Sequence, residues 1–591
     1  MMSTTPPITT TPATTPPTST PVVCLNGGVL VDGVCLCPDE WAGTSCTAEN
    51  FCEAEVLDKY RFPRTPVGWF AYSENTCLTG TSNAGKPQAS TRCSTKTGPP
   101  SFSLPPQVLQ CDQTLSDIQH NLTSVADLET LAASTQILTS RPEELTVENV
   151  TAAAQIVNTL LLSPNATESV RVAAVATVSQ LLNTSVPDNT EENDATLSLT
   201  LSLDQLSVNL SSSLNTSQSQ VVQPNLVVLS AQISPTNTGG VQFTSLTGKS
   251  GSFVADRIQL TTNTSSVMVE NGFIADALIY VQFPPSVSAR QKSSEASLGF
   301  VLYQNDRFFR SRIHRRRGAN IRVLSASIRG QESSVVPQHV QMLFRPTIMN
   351  GMSLFDFACV FWNYSLQDWS TVGCSKGNAS DGALTCFCNH TTNFAALWSF
   401  RGKYEYSEAL SVISIVGLSF SILGLVVTII QHIKVHFLRK ARERGNNMNS
   451  KISLLCIYVS LLAFIITFLS GVENSSRQDD ALVQINSETN IIPDSDEHVE
   501  PDRGSCSAVA ALLHFFLLAT FMWNSVYGTQ LVLLVRTMQH SLPPHWTPVS
   551  IAVGWGVPAV VMAITVGATY SVEDPLGYRQ EELWLLAGSS G

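Results

Sequence analysis

Apolar and polar positions pass through successive regimes along the chain, and each regime predicts a different kind of structure. Residues 1–22 are almost wholly Ser, Thr and Pro; they offer nothing to bury and read as an extended stalk open to O-glycosylation. Residues 113–225 carry apolar positions at helical spacing. Ser163-Pro164 marks a helix start there, followed by Val172, Val175, Val178, Leu181 and Leu182. From Leu226 the texture changes to short apolar runs between turn residues. These predict strands at Ile274–Phe283, Leu298–Tyr303, Ile321–Ile328, Val340–Phe344 and Phe357–Trp362. Four stretches then follow, at 409–430, 452–472, 507–535 and 549–570, each long and apolar enough to cross a bilayer at ~1.5 Å per residue.

Charge gives the spans a direction. Lys434, Arg439, Lys440, Arg442, Arg444 and Lys451 follow the first span, which places that connection in the cytoplasm. The next connection is acidic (Asp479, Asp480, Glu488, Asp494, Asp496, Glu497, Glu500, Asp502) and holds a sequon at Asn474, so it faces outward. The long N-terminal region is therefore expected outside the cell, on a multi-pass plasma-membrane protein. A net charge of −12 argues against nucleic acid as a partner, and 591 residues imply several domains. No apolar leader follows Met1, which implies a start farther upstream or insertion directed by the first span. An arginine-rich cluster, Arg312-Ile-His314-Arg315-Arg316-Arg317, interrupts the strand region. It reads as a solvated loop in preference to a convertase site.

Cysteine and sequon usage fixes the compartment. Twelve of the 14 cysteines precede residue 400. Asn-x-Ser/Thr acceptors stand at Asn121, Asn149, Asn165, Asn183, Asn209, Asn215, Asn263, Asn363, Asn378 and Asn389. Both point to an oxidising, glycosylating route and make disulfides the default for those twelve. Pairing among Cys52, Cys77, Cys93 and Cys111 stays open at this level.

Several motifs carry a family resemblance. Cys359-x-x-Trp362, Trp369-x-x-x-x-Cys374 and Cys386-x-Cys388-Asn389-His390-Thr391-Thr392 resemble the four-cysteine, two-tryptophan GPS proteolysis site of adhesion G-protein-coupled receptors. Gly554-Trp555-Gly556-Val557-Pro558 and the run from His514 to Trp523 resemble that family's fourth and third helices. The resemblance implies a GAIN domain with a helical subdomain A (113–225) and a β-rich subdomain B (226–400), the GPS occupying 355–400. It also implies bridges Cys359–Cys386 and Cys374–Cys388. Cys24-Leu-Asn26-Gly27-Gly28, Cys35-x-Cys37 and Trp41-x-Gly43-x-x-Cys46 resemble an EGF-like module over 23–47, which implies Cys24–Cys35 and Cys37–Cys46. Residues 51–112, with Phe62-Pro63 and Arg92-Cys93, resemble a hormone-receptor-type module. The expected fold class is thus a multidomain membrane protein. It comprises a disulfide-rich EGF-like module, an α-then-β-sandwich GAIN domain and a helical transmembrane bundle. Four of that family's seven helices are present, and 571–591 reads as a truncated outer loop.

The chemistry implied is a backbone that cuts itself. A threonine hydroxyl is a weak nucleophile and needs a base beside it. His390, with an ordinary pKa near ~6.5, can take the Thr392 proton while Thr392 attacks the Thr391 carbonyl; water then hydrolyses the ester. This is single-turnover chemistry and not an enzyme activity toward other substrates. A Cys/His zinc site is the competing reading, disfavoured by the oxidising compartment; no metal or cofactor is expected. The family has leucine where Thr391 stands, and that threonine creates the Asn389 sequon, so a glycan there is expected to compete with the cut. Thr392-Asn393-Phe394-Ala395-Ala396-Leu397-Trp398 would be the tethered agonist. The expected function is cell-surface signalling, with an unidentified extracellular ligand and, on a complete bundle, a heterotrimeric G protein. The alternative is a non-signalling adhesion or decoy protein with the same ectodomain.

Overall fold

The computed structural model describes residues 23–96, 98–122, 128–185, 190–214, 216–233, 239–283, 296–315, 321–329, 339–347, 352–380, 382–402, 407–435, 448–479, 489–496, 505–537, 543 and 545–569. The stalk expected at 1–22 and the outer loop expected at 571–591 lie outside them. The chain divides into two compact units, one of residues 1–347, 356–398 and 487–496 and one of 348–355, 399–486 and 497–591.

In the first unit, the N-terminal module is too short for an apolar core and is built on cross-links. Cys24 pairs with Cys35 and Cys37 with Cys46, flanking a ladder of Val29–Val31 on Val34–Leu36. The next module pairs Cys52 with Cys93 and Cys77 with Cys111 around a core of Tyr60, Phe62 and Phe102. The first module is fastened to the later sandwich by Arg257, only 6% exposed. Its guanidinium meets Asp39 Oδ1 at 3.1 Å and donates to the Cys37 and Pro38 carbonyls at 2.7 and 2.6 Å. A buried cation with three acceptors is satisfied, so the docking holds.

Five helices follow among the described residues: α1 Leu115–Asn121, α2 Leu128–Leu138, α3 Val147–Leu162, α4 Glu168–Leu181 and α5 Thr190–Leu214. Thr114, Thr146 and Thr167 cap α1, α3 and α4 by accepting from the backbone three residues on. The start expected at Ser163-Pro164 is corrected. Ser163 ends α3 and Thr167 caps α4, because a proline one place past a helix end stops it as readily as it starts the next.

The sandwich comprises β1 Gln218–Gln223, β2 Leu226–Ile233, β3 Gly240–Leu246, β4 Ile258–Thr262, β5 Ala275–Gln282, β6 Ala296–Tyr303, β7 Val323–Arg329, β8 His339–Phe344, β9 Met352–Asn363, β10 Asp368–Ser370, β11 Cys374–Ser380, β12 Ala383–Cys388 and β13 Asn393–Gly402. One sheet runs β1-β2-β6-β7-β13-β9-β10 and the other β4-β3-β5-β8-β12-β11. The polar start of β1, Gln218-Ser219-Gln220, hides it from a hydrophobicity reading, so it falls inside the stretch expected to be helical. Helix α5 lies on β2 and β6. Gly299 permits that approach, since a Cβ there would sit 2.1 Å from Ser207 Oγ.

The second unit carries α6 Ser407–Ile433, α7 Met448–Asp479, α8 Ser505–Thr537, α9 Trp546–Ile551 and α10 Val557–Thr569. Membrane-length apolar spans run Val412–Ile433, Lys451–Ser470, Ala508–Arg536 and Trp546–Thr565. The last is interrupted by a π turn at Ala552–Gly556. Pro558 lies two residues past it, and its missing N–H removes one i→i−4 bond.

Candidate functional site

The chain changes sheets at the site. Strand β12 belongs to one sheet and β13 to the other, so residues 389–392 form the corner between them. Two disulfides brace this corner. Cys359 on β9 is bonded to Cys386 on β12, stapling sheet to sheet. Cys374 on β11 is bonded to its register partner Cys388 on β12, with Cα atoms 4.2 Å apart. All four sulfurs are therefore in bridges and none is a thiolate ligand for zinc. Trp362 and Trp369 face each other edge-on at 5.2 Å, and Phe309 closes the cluster at 5.6 and 5.7 Å.

Backbone geometry brings Asn389 and His390 against the β10–β11 turn. Asn389 N–H donates to the Gly373 carbonyl at 3.2 Å. Gly373 has φ +75°, and a Cβ there would lie 2.5 Å from Asn389 Oδ1 and 3.3 Å from His390 Nδ1. Only glycine fits. His390 Nδ1 lies 3.0 Å from Asn389 Oδ1, an oxygen that can only accept, so Nδ1 carries the proton and Nε2 the lone pair. The ring packs edge-on to Phe361 at 4.5 Å and against Phe394 at 5.7 Å. Burial holds the imidazole below its ordinary pKa, and Nε2 is enclosed with no hydrogen-bond partner. The site thus holds a neutral base with a free lone pair that is not bonded to the Thr392 hydroxyl. Thr391 and Thr392 are half-buried, and the Thr392 carbonyl is already fixed by Ala326 N–H at 3.1 Å.

Beyond the corner, β13 is buried between β7 and β9, with Phe394, Ala396 and Leu397 at 0% exposure and Trp398 at 1%. Its first residue is held by side chains that sequence reading missed. Asn393 Nδ2 donates to Asp204 Oδ2 at 3.1 Å and to Tyr364 Oη at 2.9 Å. Asp204 Oδ1 accepts from Ser325 Oγ at 2.6 Å, and Thr200 Oγ1 lies 2.8 Å from Tyr364 Oη. Burial raises the Asp204 carboxyl to about 6, although the hydrogen bonds from Ser325 and Asn393 oppose the rise. A signal existed: α5 carries a leucine stripe (Leu199, Leu203, Leu206, Leu210) and, one residue on, a polar stripe of Thr200, Asp204, Ser207 and Ser211. Thr200, Ser207 and Ser211 are fully buried.

Of the sequons, Asn121, Asn165, Asn183, Asn209, Asn263 and Asn389 are exposed, and Asn149 and Asn363 are partly buried. Asn215 lies outside the described residues, and for Asn378 only the strand is described.

Four family profiles match in chain order. They are the GPR128 N-terminal domain over 30–107, GPR128 GAIN subdomain A over 114–208, GAIN subdomain B (GPS) over 240–402, and the 7 transmembrane receptor (Secretin family) over 407–587. The chain is 36% identical over 583 residues to Adhesion G-protein coupled receptor G7 of Homo sapiens, covering 95% of this chain and 70% of that one. The Mus musculus counterpart is 34% identical over 583 residues, covering 95% and 71%. A solved structure, the full extracellular region of zebrafish Gpr126/Adgrg6, aligns at 18% identity and TM-score 0.35 over 58% of this chain and 43% of that one. With a disulfide-braced sandwich corner, four apolar spans and relatives matched over most of their length, the chain belongs to the adhesion G-protein-coupled receptor family.

Proposed function

We propose that this chain is a plasma-membrane receptor, N-terminus outside, that cuts itself between Thr391 and Thr392 and signals by freeing Thr392–Trp398 as a tethered agonist. The observation that carries the reading is the placement of His390. Its Nε2 lone pair is buried and unengaged beside a half-buried Thr392, at the corner that leads into a buried apolar strand.

In the first step Nε2 takes the Thr392 hydroxyl proton, and Oγ1 adds to the Thr391 carbonyl carbon. The tetrahedral centre collapses with loss of the Thr392 nitrogen, which receives the proton and becomes an amine, leaving an ester. Water then adds to the ester carbonyl and releases Thr391 as a carboxylate and the Thr392 hydroxyl. The low imidazole pKa keeps His390 neutral at physiological pH, so the base is present without a shared proton. An extracellular ligand that loosens the sandwich would expose β13, and the bundle couples that event to a G protein.

Thr392→Ala tests the chemistry. It removes the nucleophile at a half-buried site outside the core cluster. The variant should reach the cell surface and migrate as one uncut band, where the parent yields two fragments on a denaturing gel. Undiminished cutting in that variant would overturn the assignment.

A further inference from the structure

Residues 489–496 belong to the outer connection between α7 and α8, on the C-terminal side of Thr392, yet they group with the first unit. Asn490 makes the central contact. Its Oδ1 accepts from Cys359 N–H at 2.9 Å, and its Nδ2 donates to the Cys359 carbonyl at 2.8 Å and the Cys374 carbonyl at 3.0 Å. A neighbouring strand would engage Cys359 in the same two-handed way; here one side-chain amide supplies the rung. Cys359 and Cys374 each belong to one of the two bridges that brace the corner, so Asn490 reads backbone positions that those bridges hold.

A second contact lies three to six residues on. The buried His314 has Nδ1 3.0 Å from the Pro493 carbonyl, so that nitrogen donates. Arg315 N–H donates to Asp494 O at 2.8 Å, Asp496 N–H donates to Arg315 O at 3.3 Å, and Ser495 Oγ donates to Arg315 O at 2.9 Å. Arg315 and Ser495 form a parallel β-bridge. The receiving turn is itself fixed, because Asp368 accepts from Ser311 Oγ at 2.7 Å and Arg312 N–H at 3.1 Å. The solvated loop expected at 312–317 holds for Arg312, Ile313 and Arg315, which are exposed, whereas His314 is buried and the Arg315 backbone is a docking edge; 316 and 317 lie outside the described residues. The two partners also carry opposite charge, Arg312 and Arg315 on one side and Asp494 and Asp496 on the other, which favours their encounter.

We propose that residues 489–496 are a strap that recognises the disulfide-closed GPS frame. It is an intramolecular interface within the first unit, made by residues that follow Thr392 in the chain and independent of β13. On the reading that the Thr391–Thr392 bond is cut, the described residues give the severed ectodomain two non-covalent attachments, the buried strand and this strap.

The test uses the full chain, tagged at its N-terminus, on cells. Arg315→Cys with Ser495→Cys places thiols on bridge partners, a spacing at which a disulfide closes. Neither residue is buried. Peptide mass spectrometry should find the cross-link in surface-expressed chain, cut or uncut, well above an Arg312→Cys, Ser495→Cys control. A cross-link at control level overturns the strap. As a second variant without added thiols, Asn490→Ala should release at least threefold more tagged ectodomain into the medium from cut molecules. Unchanged release from cut molecules overturns the claim that the contact holds the ectodomain. A failure of the cut reading is separately visible as a single uncut band, and the cross-link remains readable there.

Discussion

Asp204→Asn probes how tightly helix α5 holds the start of the buried strand. The parent carboxyl titrates at about 6 in the folded chain, against ~3.9 for an unperturbed Asp. Between those values the folded state binds the extra proton. The stabilisation is therefore complete below pH ~4 and is lost as pH rises through about 6. Roughly two units at ~1.4 kcal/mol each bound the neutral-pH cost of the ionised carboxylate at about 3 kcal/mol. Asp204 keeps some solvent exposure, which brings the expectation to about 1–2 kcal/mol. Tyr303 and Tyr364, the titratable groups beside it, are both raised by burial and by the Asp204 charge, so neither ionises in this window. Asparagine retains an acceptor for Asn393 Nδ2 and has no charge to bury.

The assay is amide exchange over residues 394–398 in the full-length Thr392→Ala chain in detergent, expressed as protection factors at pH 5.0 and 7.4. The chain that keeps Asp204 should lose protection on going to pH 7.4, whereas the chain carrying Asp204→Asn should lose about 2- to 10-fold less, since pH 5.0 reads only part of the full shift. Asp204→Ala behaves differently. Asn393 is fully buried with Oδ1 already lacking a partner, so losing one of the two acceptors of Nδ2, with only Tyr364 Oη left, costs about 1–3 kcal/mol. That loss should show fully at pH 5.0 and be largely offset at pH 7.4, where the carboxylate was itself a burden. Identical pH dependence with and without the Asp204→Asn substitution would refute the reasoning.

Two further outcomes follow from the same geometry. Thr391→Leu removes the Asn389 sequon and leaves the Asn389–His390 contact in place, so the cut fraction on a denaturing gel should rise; equal fractions would show that a glycan there does not compete. Arg257→Ala strips a buried cation from Asp39 and two carbonyls, at a cost of about 3–5 kcal/mol confined to the N-terminal module. Exchange over residues 29–36 should quicken while that over 394–398 stays unchanged.

Much of the architecture was legible because its signals are local. Length without charge marks a span, a helical period marks α4, and short apolar runs mark β5 through β9. The Cys-Trp frame and His390-Thr391-Thr392 stood out by their resemblance to the GPS motif, because a His-x-Thr spacing alone reads as an ordinary turn. What spacing cannot show is direction. Cys52–Cys93 and Cys77–Cys111 required the fold, because four cysteines permit three pairings and only Cα proximity chooses among them. Strand β1 was hidden by its polar start, and the docking edge at Arg315 was hidden because its partner lies 180 residues away.

Sequence by itself determined the parts of this receptor: a motif resembling the GPS, an apolar peptide after it, and four stretches long and apolar enough to cross a membrane. Tertiary structure decided the state of those parts. It gave His390 its tautomer and its free Nε2 by setting Asn389 against Gly373, and it buried the peptide between β7 and β9. It also brought Asp204 and Asn490 to the site from helix α5 and from beyond the second span. A hydrogen bond acts over about 3 Å, and no linear pattern says which residues separated by about 130 or 190 positions will come that close.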